Sequence, residues 1–132
     1  TRYVSQKCRE CDEDITFFSC GGDGTLNEVA SGMVGHDNAI LAIYPSGSGN
    51  DYVKYYGDKQ EFLNIDNLIE GKETRIDLIQ VGDRYAVNAC HFGLDSAVAK
   101  KMMEVKHKKI IGGKNAYNTG VLYALFTALK TK

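Results

Sequence analysis

The sequence predicts an α/β fold, in which a partial, parallel, Rossmann-like sheet with glycine-rich loops is followed by the start of an antiparallel β-rich second domain with helices. Two observations, and the topology that the first of them implies, lead to this prediction. Glycine-rich turns at 21–24 and 47–49 each separate an apolar, strand-like run from a helix-like run. Two successive strand–turn–helix units imply a parallel sheet with right-handed crossovers. Beyond residue 72, alternating runs on both sides of a Gly82-Asp83 turn indicate an antiparallel hairpin.

The first half of the chain alternates strand and helix. Residues 1–14 are polar and are expected to be the end of a helix or a loop before the first strand. Residues 15–20 predict a buried strand, and residues 39–44 predict a second strand that is buried on both faces, as in parallel sheets. Between them, the spacing of the apolar residues predicts a helix over 25–34, closed near Gly35.

The second half begins with a tyrosine-rich run that stops at Gly57. Apolar residues between 62 and 69 then predict a short helix that ends at Gly71. The remaining predicted elements are the hairpin strands, 74–81 and 85–90, and two helices, one opening at 93–96 and one over 115–130.

The composition is that of an ordinary globular chain. The 132 residues are 43% hydrophobic and 25% charged, which allows one domain or parts of two. The net charge of −1 gives no reason to expect a nucleic-acid partner. The longest apolar run, 121–129, is too short to span a bilayer.

The four cysteines do not predict a metal site. Cys8 and Cys11 form a lone CxxC pair without the further ligands that a zinc site needs. Cys20 and Cys90 lie in apolar runs and are expected to be small core residues. A reducing cytosol fits all four.

The first glycine turn is the clearest candidate for a functional site. Its glycines, Gly21, Gly22 and Gly24, permit positive φ and the close approach of a ligand. The helix that follows offers unpaired N–H groups and its positive dipole end to an anion, most often a phosphate. Asp23 lies among these donors, where a carboxylate would share a divalent cation with a phosphate or handle a proton. On these four residues alone, a plain turn with Asp23 as the helix cap explains the pattern equally well.

Three ordered motifs together resemble a known family. They are Gly21-Gly22-Asp23-Gly24-Thr25-Leu26-Asn27-Glu28, Pro45-x-Gly47-Ser48-x-Asn50-Asp51 and Arg75-Ile76-Asp77-Leu78. The match continues through Asn88, Gly93-Leu94-Asp95 and Gly113-Lys114-x-Ala116-Tyr117. In this order they resemble the diacylglycerol kinase catalytic domain, the superfamily of diacylglycerol, sphingosine and ceramide kinases and their bacterial lipid kinase relatives. The resemblance covers nearly the whole chain.

The resemblance implies ATP-dependent transfer of a phosphoryl group to a lipid hydroxyl, with Mg²⁺ as the second cofactor. In the family, the first loop binds the nucleotide phosphates, and the second loop adds a hydroxyl donor, which is Ser48 in this chain where threonine is usual. Asp23 is the implied catalytic residue, and the implied metal-binding residues are Asp23, Asp51 and Asp77. The implied cofactor-binding residues are Gly21, Gly22, Asp23, Gly24, Thr25, Leu26, Asn27, Glu28, Gly47 and Ser48.

The resemblance also implies how the chain is organised. Residues 1–71 correspond to the nucleotide-binding α/β domain, whose N-terminal strand and Asn-Pro-x-x-Gly-type turn are expected to be missing. Residues 72–132 correspond to the beginning of the β-rich lipid-substrate domain. The Asp-Gly-Glu-type segment, with the expected general base and further metal ligands, does not occur before Lys132. The expectation is an incomplete catalytic fragment, and residues 88–93 also depart from the usual small or hydroxyl residues before the glycine.

The implied partner is a lipid alcohol reached by transient contact with a membrane surface. The resemblance implies a cytoplasmic, peripherally membrane-associated protein of phospholipid biosynthesis, and it leaves room for a homodimer. Tyr52, Tyr55 and Tyr56 are expected to cover the sheet, with lipid contact as the alternative. The second half also contains a group of lysines that would either dock on an anionic membrane surface or form a solvated helix face and loop. These lysines are Lys100, Lys101, Lys106, Lys108, Lys109 and Lys114.

Two other functions stay open on the sequence. An NAD kinase-like or phosphofructokinase-like enzyme shares the Gly-Gly-Asp-Gly loop, although Asn27, Glu28 and the second loop argue against it. A non-catalytic nucleotide or lipid sensor would use the same fold. Single residues also have plain alternatives, in which Asp77 is an exposed carboxylate, Asp95 a dipole partner at a helix start, and His91 a structural histidine.

Overall fold

The structure, a computed structural model, describes residues 1–93 and Ser96. The chain divides into two compact units, Thr1–Ala89 and Cys90–Lys132. In chain order, the first unit contains α1 (Arg2–Glu10), β1 (Ile15–Gly21), α2 (Asp23–Met33), β2 (Ala39–Pro45), a short 3-10 helix (Val53–Tyr55), α3 (Lys59–Phe62), α4 (Ile65–Glu70), β3 (Ile79–Val81) and β4 (Arg84–Ala86). A mixed α/β architecture is thereby confirmed.

The predicted parallel pair is present. β1 and β2 run in parallel from the Ile15–Ala39 pair to the Gly21–Pro45 pair, and α2 crosses between them and packs on both. Leu26 of α2 is 4% exposed, and burial of a leucine side chain contributes about 1.5–3 kcal/mol. A Rossmann-like strand order stays a prediction, because one pair of strands does not define an order.

The strands are less buried than the sequence predicts. In β1, Phe18 and Cys20 are exposed, while Ser19 on the opposite face is buried. In β2, only Ala42 and Pro45 are buried, and the other residues are half-buried. In the described part of the chain, the predictions of a buried β1, of a β2 covered on both faces and of Cys20 as a core residue are therefore wrong. An apolar run does not by itself distinguish a covered face from an open one.

The N-terminal segment is a helix that packs against α2. Val4 and Cys8 are four residues apart, so they lie on one face of α1, and both are buried. Gly32 of α2 permits the close packing, because a Cβ there would lie 2.6 Å from the Thr1 carbonyl oxygen and 2.8 Å from the Val4 Cβ. Of the two expectations for residues 1–14, the helix is confirmed.

Asn38 ties the end of α1 to the start of the sheet. Its Nδ2 group donates to the carbonyl oxygens of Cys8 at 3.1 Å, Cys11 at 2.8 Å and Glu13 at 3.2 Å. Its own carbonyl oxygen accepts from the Ile15 N–H group at 2.8 Å, next to the first strand pair. The carbonyl groups at a helix end lack intrahelical donors, so the Asn38 side chain supplies hydrogen-bond donors to carbonyl groups of α1 and of the loop that follows it.

Between Gly57 and Gly71, the structure has two short α-helices where the sequence predicts one. The Asp58 side chain accepts from the Gln60 N–H group and begins α3, and the Asn64 side chain accepts from the Asp66 N–H group and begins α4. Side-chain caps of this kind favour the start of a new helix, so a second helix begins at Asn64 within the stretch for which the apolar spacing predicts a single helix. The predicted end at Gly71 is confirmed.

The predicted antiparallel hairpin is confirmed. β3 and β4 pair from Ile79 opposite Ala86, and Gly82 in the turn takes a φ of 62°, which glycine adopts without a Cβ penalty. Both strands are shorter than the predicted 74–81 and 85–90.

Several expectations concern residues outside the described part of the chain. They include the helix over 115–130, the role of Asp95, the lysines from 100 to 114 and the motif at 113–117. Of the helix predicted to open at 93–96, the structure describes Ser96 as helical. The predicted division of function at residue 71 stays a prediction.

Candidate functional site

The two glycine turns meet at the carboxyl end of the parallel pair. β1 ends at Gly21 and β2 at Pro45, and these residues are register partners. The Gly21 carbonyl oxygen accepts from the N–H groups of Ser46 at 2.9 Å and Gly47 at 3.2 Å. The second turn is therefore hydrogen-bonded to the first, at the edge where parallel sheets bind ligands.

Close packing explains the glycines at this contact. A Cβ on Gly47 would lie 2.9 Å from the Gly22 nitrogen, and a Cβ on Gly22 would lie 3.2 Å from the Gly47 Cα atom. A Cβ on Gly21 would overlap the side chain of Thr25, at 2.6 Å from its Cβ. The glycines that take a positive φ in the described residues are elsewhere, so lack of space, and not backbone conformation, excludes larger residues at this contact.

Asn50 shapes the second turn. It is 6% exposed and takes a φ of 51°, a left-handed conformation that asparagine tolerates better than most residues. Its Nδ2 group donates to the Gly47 carbonyl oxygen at 2.6 Å, and its Oδ1 accepts from the Gly47 N–H group at 3.0 Å. Asn50 is therefore a structural residue of the site, whereas the sequence placed it only within a motif. The signal was asparagine in a glycine-rich turn.

Asp23 connects the two turns from the start of α2. Its Oδ1 accepts from the Tyr52 N–H group at 3.2 Å, so one carboxylate oxygen holds the chain that leaves the second turn. Its Oδ2 lies 3.0 Å from the place that a Cβ on Gly49 would occupy. The second oxygen therefore faces the second glycine turn.

Asp51 faces the same point. Its Oδ2 lies 3.8 Å from that Cβ position on Gly49, while its Oδ1 forms an exposed ion pair with Lys54. Of the three predicted metal-binding carboxylates, the structure thus brings Asp23 and Asp51 to one place. Asp77 is exposed in the irregular segment before β3, and none of the hydrogen bonds or ion pairs among residues 1–93 connects it to the other two.

The start of α2 presents backbone donors beside these carboxylates. The first hydrogen bond of the helix runs from the Leu26 N–H group to the Gly22 carbonyl oxygen at 3.0 Å. The N–H groups of Asp23, Gly24 and Thr25 precede it and have no intrahelical acceptor. Gly24 and Thr25 are exposed, so this end of the helix is open to an anion.

Other predicted cofactor-binding residues have different surroundings. Leu26 is a core residue, and Glu28 is exposed one turn into the helix, where its carbonyl oxygen accepts from the Thr1 hydroxyl at 3.2 Å. The Asn27 side chain bonds to β4. Ser48 is exposed at the tip of the second turn. Their roles in nucleotide binding stay predictions.

The residues at Gly49 fit part of a magnesium site. Across residues 1–93 and Ser96, no three histidine, cysteine or acidic side chains are grouped closely enough to hold a metal ion. Mg²⁺ is commonly held by one or two carboxylates together with substrate phosphates and water. Asp23 and Asp51 are a donor set of this kind, adjacent to the backbone N–H groups that an anion would contact.

Comparison with known proteins identifies the family. Residues 3–81 match the diacylglycerol kinase catalytic domain, so the chain belongs to this family and the resemblance is confirmed. The chain is 31% identical over 129 residues to a probable lipid kinase YegS-like protein of Yersinia enterocolitica, covering 92% of this chain and 42% of the relative. It is 30% identical over 112 residues to a diacylglycerol kinase of Staphylococcus epidermidis, covering 83% and 35%.

A diacylglycerol kinase of Staphylococcus saprophyticus is 35% identical over 96 residues, which cover 71% of this chain and 31% of the relative. The chain therefore spans roughly two fifths or less of the length of these relatives. No solved structure matches it. None of the helices within the described residues is long and apolar enough to cross a membrane.

Proposed function

We propose that the chain forms the nucleotide-binding part of an ATP-dependent lipid kinase, which transfers the γ-phosphate to a hydroxyl group of diacylglycerol or a similar lipid. The observation that carries this proposal is the hydrogen-bonded pair of glycine turns at the open start of α2, with Asp23 and Asp51 beside it. Membership of the diacylglycerol kinase catalytic domain family supports a kinase, and the names of the relatives support a lipid acceptor.

The proposed nucleotide contact uses backbone groups. The N–H groups of Gly24 and Thr25 precede the hydrogen-bond ladder of α2, and both residues are exposed, so phosphate oxygens would accept from these groups without displacing an internal bond. The contact between Gly22 and Gly47 keeps side chains out of the space beside these donors. Phosphoryl transfer depends mainly on such positioning and on charge neutralisation.

Asp23 and Asp51 would hold Mg²⁺ at the phosphates. Bound there, the ion supplies the positive charge that neutralises the phosphate oxygens. Asp23 keeps Oδ1 on the Tyr52 N–H group and has Oδ2 directed toward Gly49, so the same side chain fixes the second turn and offers a ligand atom. In this proposal Asp23 acts on the phosphates and not as the general base.

The proposal includes a cytoplasmic protein that associates peripherally with a membrane surface and reaches its lipid alcohol there, since the acceptor is a lipid.

The first test of the proposal is calorimetric titration of the full-length natural protein with ATP, in Mg²⁺ and in a chelator, followed by assay on diacylglycerol vesicles. Gly49→Ala is the sharpest variant, because its Cβ would fill the space between the two carboxylates without removing either. The backbone accepts alanine, because Gly49 is not among the residues with positive φ.

We expect Gly49→Ala to weaken ATP binding roughly 10–100-fold in Mg²⁺, as for other changes that disturb metal ligands, and to have a much smaller effect in the chelator. Asp23→Ala should abolish the Mg²⁺-dependent part. The matched control is Asp37→Asn, which removes an exposed carboxylate away from both turns. A folded full-length protein that neither binds Mg²⁺-ATP nor phosphorylates any lipid alcohol would contradict the proposal.

A further inference from the structure

The Asn27 side chain is hydrogen-bonded to the backbone on both sides of Ala86, the last residue of β4. Its Nδ2 group donates to the Tyr85 carbonyl oxygen at 3.0 Å, and its Oδ1 accepts from the Val87 N–H group at 3.0 Å. The opposite orientation of the amide would set a donor against a donor and an acceptor against an acceptor. The side chain therefore bonds to β4 as a peptide group of a neighbouring strand does.

Asn27 lies on the same face of α2 as Asp23, the first residue of the helix. Asp23, Asn27 and Ser31 are four residues apart, so they follow one another along one face of the helix. The Ser31 hydroxyl also approaches the Tyr85 carbonyl oxygen, at 3.5 Å. The helix that begins in the first glycine turn is thus the helix that holds the hairpin.

The pattern of partners gives the direction of β4 along α2. Tyr85 contacts both Asn27 and Ser31, whereas Val87 contacts Asn27 alone. The chain therefore runs from Tyr85 toward the N-terminal end of the helix. β4 ends at Ala86, and a bend at Val87 and Asn88 follows it directly, so the Asn27 bonds hold the point at which the chain leaves the strand.

We propose that Asn27 is a positioning residue, which fixes the end of β4, and with it the start of the following bend, to the helix that begins in the first glycine turn. Both the Nδ2 and the Oδ1 atom of the amide already form an internal hydrogen bond of 3.0 Å. The backbone N–H groups at the start of α2, in contrast, have no acceptor within the helix. The consequence for turnover rests on the proposed kinase function, whereas the clamp itself does not. A nucleotide ligand and a clamp at this position give different results in two measurements.

The first measurement is amide hydrogen exchange of Val87 by NMR in the full chain. Asn27→Ala should speed this exchange about tenfold, since the acceptor of the Val87 N–H group is lost. Asn27→Asp keeps an acceptor at Oδ1 but sets its second oxygen against the Tyr85 carbonyl oxygen, so it should also speed Val87 exchange. Ser31→Ala is the matched control, because it removes a longer contact on the same helix face.

The Ile15 N–H group provides an internal reference in every variant. It bonds to the Asn38 carbonyl oxygen at 2.8 Å, in a part of the fold that Asn27 does not contact. A rise in Val87 exchange with Ile15 unchanged supports the clamp and excludes general unfolding as its cause. Unchanged Val87 exchange in Asn27→Ala would overturn the proposal.

The second measurement is steady-state kinetics of the full-length natural protein on lipid vesicles. Positioning predicts that Asn27→Ala lowers kcat about tenfold or more and leaves the KM for ATP nearly unchanged. A raised KM for ATP with unchanged kcat would instead make Asn27 a nucleotide ligand and overturn the proposal, as would unchanged kcat despite faster Val87 exchange. Absence of kinase activity in the wild type would contradict the proposed function, while the exchange experiment would still decide the clamp.

Discussion

Gly22 and Gly47 lie so close together that a Cβ on Gly47 would come within 2.9 Å of the Gly22 nitrogen. Real Cβ atoms do not approach a backbone atom this closely, so the two glycine turns pack without any side chain between them. The contact joins residues from different strand–helix units. It explains why both turns require glycine although neither glycine takes a positive φ.

Gly47→Ala should separate the two turns. The added Cβ meets backbone on the Gly22 side, so the chain has to move, and we expect a loss of about 1–3 kcal/mol in the free energy of unfolding. Gly24→Ala is the control, because nothing lies within 4 Å of its Cβ position and alanine favours the helix. Urea denaturation measures both. Equal stability of the two variants would show that the turns do not pack directly against each other.

Asn38→Asp should destabilise the protein more than Asn38→Ala. Alanine removes the donor for the carbonyl oxygens at the end of α1, which we expect to cost about 1–3 kcal/mol. Aspartate also sets a negative oxygen against carbonyl groups that previously accepted a hydrogen bond. Asn67→Ala serves as the control, since its exposed Nδ2 group makes a single bond of 3.3 Å. The midpoint of thermal unfolding should be lowest for Asn38→Asp and next lowest for Asn38→Ala, and a reversed order would argue against the donor role.

Substitution of Gly32 should loosen α1. Alanine and then valine introduce increasing overlap with Thr1 and Val4, so the helix has to move away from α2. The buried thiol of Cys8 reports this movement, because alkylation requires access to it. Mass spectrometry should find Cys8 modified slowly in wild type, faster in Gly32→Ala and fastest in Gly32→Val. The exposed Cys20 should react at the same rate in all three, and a constant Cys8 rate would contradict the packing.

Tyr52 should ionise later than an ordinary tyrosine. Burial raises its pKa above the usual range, and the hydrogen bond to the Tyr56 hydroxyl at 2.9 Å raises it further. The folded state holds this proton more tightly than the unfolded state, so the stabilising contribution is complete below the ordinary tyrosine pKa of about 10 and is lost as the pH rises above it.

Tyrosinate absorbance during an alkaline titration measures this effect. Tyr52→Phe should remove the latest step and flatten the loss of stability at high pH. Tyr55→Phe, at a position that is 86% exposed, should leave that step in place. A titration curve that Tyr52→Phe leaves unchanged would mean that Tyr52 ionises normally.

Local sequence signals predict most of the architecture. The apolar runs at 15–20 and 39–44 and the glycine turns behind them predict the parallel pair, because strand and turn preferences act within a few residues. The same signals fail at Asn64, where a side-chain cap starts a new helix inside a continuous apolar pattern. They also fail at Cys20, because the pattern does not state which face of β1 is covered.

The candidate site was predictable in part. Asp23 and Asp51 follow the two strands that pair, so their proximity follows from the order of the motifs. Asp77 lies beyond both strand–turn–helix units, and the sequence has no signal for its distance from them. From the sequence, the glycines were explained by close approach of a ligand and by positive φ, whereas in the structure they permit packing between the two turns without positive φ.

The sequence by itself determined the parallel strand pair with its connecting helix, the two glycine turns, the hairpin and membership of the family, because the signals for these features lie within short stretches of neighbouring residues. Only the tertiary structure decided the partners of Asn27 and Asn38. Asn27 donates a hydrogen bond to Tyr85, 58 positions later in the sequence. Asn38 donates to carbonyl groups at the end of α1, which precedes both strands of the parallel pair. Amide side chains form such bonds only after packing has brought distant backbone groups within about 3 Å, a distance that no local preference specifies.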